Sequence, residues 1–211
     1  MRVLVLCGDY WHPAQVARTG LSPLEKAGFE FDWVDNAQNW SVKDMASYPL
    51  IILTKSNNTS QSDKTPWMTT EVELAFQDYV RRGNGLVVIH SGSAEYAQTR
   101  VLRALLGGVF NHHPPQCPVT VELQKDHPLV KDSTPFTVFD EHYFMDMEPG
   151  GHVFLTTSSE HGVQPGGWSR LEGRGRVCVL TPGHNLEVWL HPHYQAIIQR
   201  ALWWVGGETN S

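Results

Sequence analysis

Four short aliphatic runs, Val3 to Cys7, Phe29 to Val34, Leu50 to Thr54 and Gly85 to His90, alternate with stretches of helical spacing, and this alternation constrains the fold more than any other feature. Each run has the length and residue types of a buried strand. Between them, Ala14 to Ala27 and Met68 to Arg82 read as helices; the second places Val72, Ala75, Phe76, Tyr79 and Val80 on one face. Strands alternating with helices imply right-handed crossovers and a mainly parallel sheet covered on both sides, an α/β architecture. Val119 to Leu123, Val153 to Thr157 and Arg176 to Leu180 predict further strands, and Tyr194 to Val205 a last helix. The Pro-, His- and Asp-rich stretch from Phe110 to Gly151 predicts excursions at the sheet's edge rather than a second core.

A chain of 211 residues suits one sizeable α/β core, given about 100 to 200 residues per domain. We therefore expect a single domain over residues 1–205 and a flexible polar tail over 206–211. The N-terminal apolar run reads as a first strand rather than a targeting segment, and no stretch approaches the roughly 18 apolar residues of a membrane span. Cys7, Cys117 and Cys178 are odd in number and show no C-x-x-C spacing, which argues for a reducing, cytoplasmic setting. A net charge of -6 without a Lys/Arg cluster argues against nucleic acid as a partner. Eleven histidines and eight tryptophans lean instead towards a small-molecule site, because imidazole moves protons and binds metals near neutral pH while Trp faces stack on sugar rings. Apolar edge strands could support a homo-oligomer.

Ligands of open parallel sheets bind beyond the strands' carboxyl ends. This rule selects Asp9, Trp11 and His12 after the first strand, Asn57 after the third, His90 and Ser91 after the fourth, and His184 after the last. Ile89-His90-Ser91-Gly92-Ser93, between a strand and an expected helix over Ala94 to Leu106, has the setting of a nucleophile elbow, with small residues downstream of its apex. A serine nucleophile at Ser91 would need glycines where Ile89 and Ser93 stand.

Several segments resemble the ThuA-like trehalose-utilisation family of the class I glutamine amidotransferase-like superfamily. They are Gly8-Asp9 with His12, Gly83 to Gly92, Leu106 to Phe110 with His113-Pro114, Asp126-His127-Pro128-Leu129, Asp140-Glu141-His142-Tyr143, and Gly173 to Val177 leading to Gly183-His184. The resemblance runs nearly the full length and implies a flavodoxin-like, three-layer sandwich. The superfamily's glutaminases carry a cysteine at the elbow, where this chain has His90. An imidazole there cannot form the thioester of covalent amide hydrolysis. His184 matches the later histidine of those enzymes, whereas Glu187 stands one residue beyond the expected glutamate.

The resemblance implies carbohydrate metabolism and leaves three readings open. In the first, an enzyme acts on a disaccharide, glycoside or keto-sugar with His90 and His184 as general acid and base and Glu141 assisting. In the second, His12, His90 and His184, with Asp9 or Glu141, hold a divalent metal. In the third, a non-catalytic carbohydrate-binding or regulatory protein uses a retired enzyme scaffold. Trp11, Trp67, Trp168 and Trp189 are candidate stacking platforms, and His113, His127 and Tyr143 complete the candidate binding residues.

Overall fold

The computed structural model describes residues 1–124 and 126–207. In chain order it contains β1 (Arg2–Cys7), α1 (Ala14–Leu21), β2 (Glu30–Val34), β3 (Leu50–Thr54), α2 (Thr70–Arg81), β4 (Gly85–Ile89), α3 (Arg100–Leu106), β5 (Gly108–His112), β6 (Cys117–Leu123), β7 (Phe136–Asp140), β8 (Phe144–Met147), β9 (His152–Ser159), β10 (Gly162–Glu172), β11 (Gly175–Leu180), α4 (Leu186–Trp189) and α5 (Pro192–Val205). Nine strands form one sheet in the order β2-β1-β3-β4-β11-β10-β9-β6-β7, and β5 pairs with β8 in a separate ribbon. The first five strands of that order run parallel, with Val5 opposite Ile52 and Val87 opposite Cys178. The remaining pairs are antiparallel.

Period-two alternation explains the layers. Val3, Val5 and Cys7 point into one core with Leu21 of α1, Trp189 of α4 and Ile197, Ile198 and Leu202 of α5. Leu4 and Leu6 point the other way, onto Phe76 and Val80 of α2 and Leu102 and Leu106 of α3. Both faces of the central strands are thus apolar, as a sheet between two helical layers requires.

The early strands fall where the sequence places them, but three elements differ. The helix expected over Ala14 to Ala27 is α-helical only to Leu21 and finishes as a 3₁₀ turn over Ser22–Ala27, where Pro23 removes a backbone donor. The helix expected from Ala94 begins at Arg100, because the elbow first closes as a 3₁₀ turn over His90–Ser93. The stretch from Phe110 to Gly151 is more than edge excursion: β6 and β7 extend the main sheet, and β5 and β8 form the ribbon. Of the expected tail, Gly206 and Gly207 form a turn, and 208–211 lie outside the described residues. Among the described residues no helix is long and apolar enough to cross a membrane.

The elbow leaves no room for a side chain at Gly92, where an added Cβ would lie 2.0 Å from the Leu53 carbonyl oxygen. Relief would require β3 and β4 to move apart, and overpacking of this kind costs about 1–3 kcal/mol or more. Gly92→Ala is therefore expected to lower stability by at least the upper part of that range, read as a fall in the urea midpoint at an unchanged slope.

Candidate functional site

The carboxyl ends of β1, β4 and β11 bring three imidazoles together. His12 follows the Gly8-Asp9 turn after β1. Its Nδ1–H donates to Asp9 Oδ1 at 2.8 Å, and the fully buried Asp9 carboxylate also accepts from the backbone N–H groups of Trp11 (2.8 Å), His12 (2.9 Å) and Ser56 (2.9 Å). Burial raises the Asp9 pKa, but His12 and these backbone donors outweigh it and hold the carboxyl down at about 2.

His90 occupies the elbow apex with φ 47, a left-handed conformation that is strained for a residue with a side chain. The imidazole is buried, stacks on Tyr143 at 4.1 Å between ring centroids, and donates from Nδ1 to the Thr181 carbonyl at 2.8 Å. Because a carbonyl can only accept, this bond assigns the Nδ1 proton and leaves Nε2 directed into the site. Burial lowers the pKa of His90 against the opposing pull of Glu141.

His184 is set from the far side of the sheet. Asp140, at the end of β7, accepts from the backbone N–H groups of Gly183 (2.8 Å) and His184 (2.9 Å) and fixes the turn after β11. The next residue, Glu141, lies between the imidazoles. Its carboxylate is 3.2 Å from His184 Nδ1, 3.4 Å from His90 Nε2 and 3.5 Å from His113 Nε2. Burial works to raise Glu141, yet His184 and His90 hold it well below the usual carboxylate range; Glu141 in turn raises His184. One donor atom from each of His12, His90, Glu141 and His184 falls within 4.8 Å of all the others.

Above this cluster opens a cavity of about 310 Å³ bordered by Trp11, His12, Glu95, Phe110, His113, Glu141, Tyr143 and His184. Its size is at the lower end of the ~300–1,000 Å³ usual for small-molecule sites. The β5–β8 ribbon supplies one wall, with Phe110 against Tyr143 at 4.2 Å. Trp11 is 56% exposed, and Lys64 Nζ lies 4.5 Å from its ring centroid. The other tryptophans considered as platforms are buried with their indole N–H groups bonded to backbone: Trp67 to Ser56, Trp168 to Leu106 and Trp189 to Gly183.

Two of the residues selected from sequence stand elsewhere, and a third lies beneath the cavity. Asn57 Oδ1 accepts from the backbone N–H groups of Trp67 (3.1 Å) and Met68 (3.0 Å), so it ties down its own loop rather than lining the cavity. His127 caps the turn Pro128–Val130 and stacks on Phe154 at 4.6 Å, beside a different surface hollow with His152 and Ser169. Ser91 is buried in the crevice beneath, next to His12, His90 and His184. Conversely, Glu95, Phe110, Asp140 and Thr181 enter the site without having been selected. Glu95 has φ 64 and accepts from the Asn58 side-chain amide, an arrangement that no local sequence pattern announces.

None of the three thiols belongs to the site. All are buried, and Cys7 is pushed up to about 12 by burial.

An imidazole- and carboxylate-lined pocket at the carboxyl ends of a three-layer α/β sandwich is what fold and site together define. The family model for trehalose utilisation, ThuA, matches residues 2–205; the chain belongs to this family, which ties it to trehalose-related carbohydrate metabolism. No curated protein matches significantly in sequence. Among solved structures, a ThuA-like protein from Parabacteroides merdae ATCC 43184 aligns with a TM-score of 0.77 at 18% identity, covering 100% of this chain and 92% of its own. A cytoplasmic protein from Salmonella typhimurium aligns with a TM-score of 0.70 at 16% identity over 96% of this chain and 98% of its own. The β-galactosidase from Rahnella sp. R3 gives 0.67 at 15% identity, over 95% of this chain but 30% of the enzyme. At these identities the likenesses establish the fold, a flavodoxin-like sandwich.

The placement of His127 makes a pH-dependent prediction. Burial, with His152 adding to it, lowers its pKa to about 4, below the 6.5 of an unperturbed histidine. The unfolded chain binds the proton more readily between those values, so this contribution is complete above about pH 6.5 and is lost as pH falls towards 4. At 1.36 kcal/mol per unit it amounts to at most ~3 kcal/mol. Urea denaturation of His127→Phe, which keeps an aromatic ring against Phe154, is expected to show that much less loss between pH 7 and 4 than the parent.

Proposed function

We propose that the chain is a carbohydrate-metabolism enzyme of the trehalose-utilisation type that acts on an oxidised, keto-bearing disaccharide or glycoside, moving protons next to the ketone. The observation that carries this reading is the convergence of His90, His184 and Glu141, with His184 and Glu141 lining a cavity whose walls are aromatic and His90 buried just beneath it. Isomerisation, hydration and elimination beside a ketone all require a base at the adjacent carbon and a group that stabilises charge on the carbonyl oxygen. A cluster combining a carboxylate with several imidazoles supplies both roles without a covalent intermediate. A glutaminase reaction does not fit, because the elbow carries an imidazole and the thiols lie in the core.

Trp11 and Phe110 would hold the apolar faces of a sugar ring, as aromatic side chains do for such surfaces. His12, His113 and Tyr143, which line the cavity, are assigned to substrate positioning, and Asp9 to orienting His12. Ser91, His127 and Asn57 are not retained, since none of them borders the cavity. Reduced, buried cysteines and the likeness to a cytoplasmic Salmonella protein support a cytoplasmic location.

The test follows keto-trehalose and related keto-glycosides by NMR product analysis. Glu141→Gln and His90→Ala, each with the parent's circular dichroism, are expected to lower kcat by about 10²–10⁴-fold, the usual contribution of a positioned acid or base. Trp11→Ala is expected to raise KM with kcat little changed, because it removes binding common to ground and transition states. Saturable sugar binding without product would assign the chain to the non-catalytic class, and unchanged turnover in both cluster variants would refute the mechanism.

A further inference from the structure

We infer that His12, His90, His184 and Glu141 bind one divalent first-row transition ion at the floor of the cavity, through Nε2 of His12 and His90, Nδ1 of His184 and a carboxylate oxygen of Glu141. The inference rests on the reading above for the substrate alone and revises its chemistry: side chains whose lone pairs hold the ion polarise the ketone through it and do not themselves act as the base.

The first argument is that the three ring nitrogens make no hydrogen bond. His12 Nε2, His90 Nε2 and His184 Nδ1 are all buried without a hydrogen bond, although buried polar atoms are nearly always paired. His90 is itself 1% exposed, so bulk solvent does not reach this nitrogen. Hydrogen bonds within the cluster cannot satisfy the set. The ring protons of His12 and His90 are committed at Nδ1 to Asp9 and Thr181, so each neutral ring presents a lone pair at Nε2, and Glu141 is another acceptor. Acceptors converging on one point call for a cation.

The second argument is the outer shell. A histidine that ligates a metal almost always donates its other ring N–H to a carboxylate or a backbone carbonyl, which fixes the tautomer and aims the ligating nitrogen. Asp9 does this for His12 at 2.8 Å and Thr181 for His90 at 2.8 Å. The three rings meet edge to face, with centroids 5.0, 5.2 and 5.6 Å apart, so they surround a common point instead of stacking.

The third argument is spacing. Ligands about 2.0–2.2 Å from a metal lie no more than roughly 4.4 Å from one another. The four donor atoms, within 4.8 Å of each other, need to close by only a few tenths of an ångström. Mixed imidazole and carboxylate donors suit Zn²⁺, Fe²⁺ or Mn²⁺ rather than Mg²⁺ or Ca²⁺, which prefer oxygen. Because His12, Glu141 and His184 border the cavity, an ion among them would meet a bound ligand there. The chemical class this selects is one with adjacent carbonyl and hydroxyl oxygens, as in an oxidised sugar ring.

The experiment uses the full chain without a polyhistidine tag, stripped with chelator and titrated with Zn²⁺ by calorimetry and with Co²⁺ by visible absorption. One equivalent of each ion is expected, Co²⁺ giving the ligand-field bands of an imidazole-bound centre. His184→Gln and Glu141→Gln, both at cavity-facing positions, are expected to weaken Zn²⁺ binding at least 10-fold. Asp9→Asn is expected to weaken it about 10–100-fold through the outer shell alone. Absence of stoichiometric binding by the folded parent, or binding that survives both ligand substitutions, would overturn the inference. Keto-sugar turnover by the stripped protein at the parent rate would also overturn it while leaving the proposed reaction standing. One-to-one ion binding without any sugar binding or conversion would do the opposite.

Discussion

The buried carboxylate of Asp9 holds the end of β1 against the end of β3, and the site is assembled from that contact outward. An ionised carboxylate out of water is costly unless its lone pairs are filled. Here three backbone N–H groups and the His12 ring fill them, and their combined effect keeps the group ionised down to about pH 2. A second charge lies close by. Lys55 is 1% exposed, donates to the Gly8 carbonyl at 2.6 Å, and is lowered by burial to about 8 against the pull of Asp9. A carboxylate in this position has a small set of allowed geometries, so the loop carrying Trp11 and His12 is held in one arrangement.

The same device recurs opposite. Asp140 is buried at the end of an antiparallel strand and accepts from two consecutive backbone N–H groups in the turn after β11, which sets the path of Gly183 and His184. The Thr181 carbonyl, just before that turn, aims His90. Each imidazole is therefore oriented by a group on a different element from those that orient the others, and the cluster depends on sheet register. Glu141 follows directly from Asp140, so the residue that fixes the backbone of one histidine also carries the shared carboxylate into place.

Much of the strand framework was legible because strands buried on both faces write themselves as unbroken aliphatic runs: Leu50 to Thr54 is the clearest case. With the strands in hand, the rule of carboxyl ends located His12, His90 and His184 without structural information. The antiparallel half was harder. β7 alternates apolar with polar residues and β10 mixes polar, glycine and proline residues, since their faces are only partly covered, so neither writes the unbroken aliphatic run of a central strand. Phe110 and Glu95 were hidden for related reasons. Phe110 reaches the cavity only because β5 leaves the main sheet to pair with β8, and Glu95 because the elbow delays the following helix. His127 and Asn57 were selected by residue type near the right motif or strand, but each has a local backbone partner that turns it to structural use.

The elbow is where scaffold and chemistry part. A left-handed apex residue after β4 is costly for any residue with a side chain, and Gly92 can be nothing larger while Leu53 packs behind it. These features present one side chain to the pocket whatever that side chain is. With a cysteine at the apex such a turn serves covalent acyl transfer; with His90 it presents a nitrogen whose proton is already assigned elsewhere. The thiols that remain are in the core, Cys7 and Cys178 within strands and both raised by burial. An imidazole at the apex thus offers no thiol for bond formation with a substrate, and places a ring nitrogen beside Glu141 and the two other imidazoles.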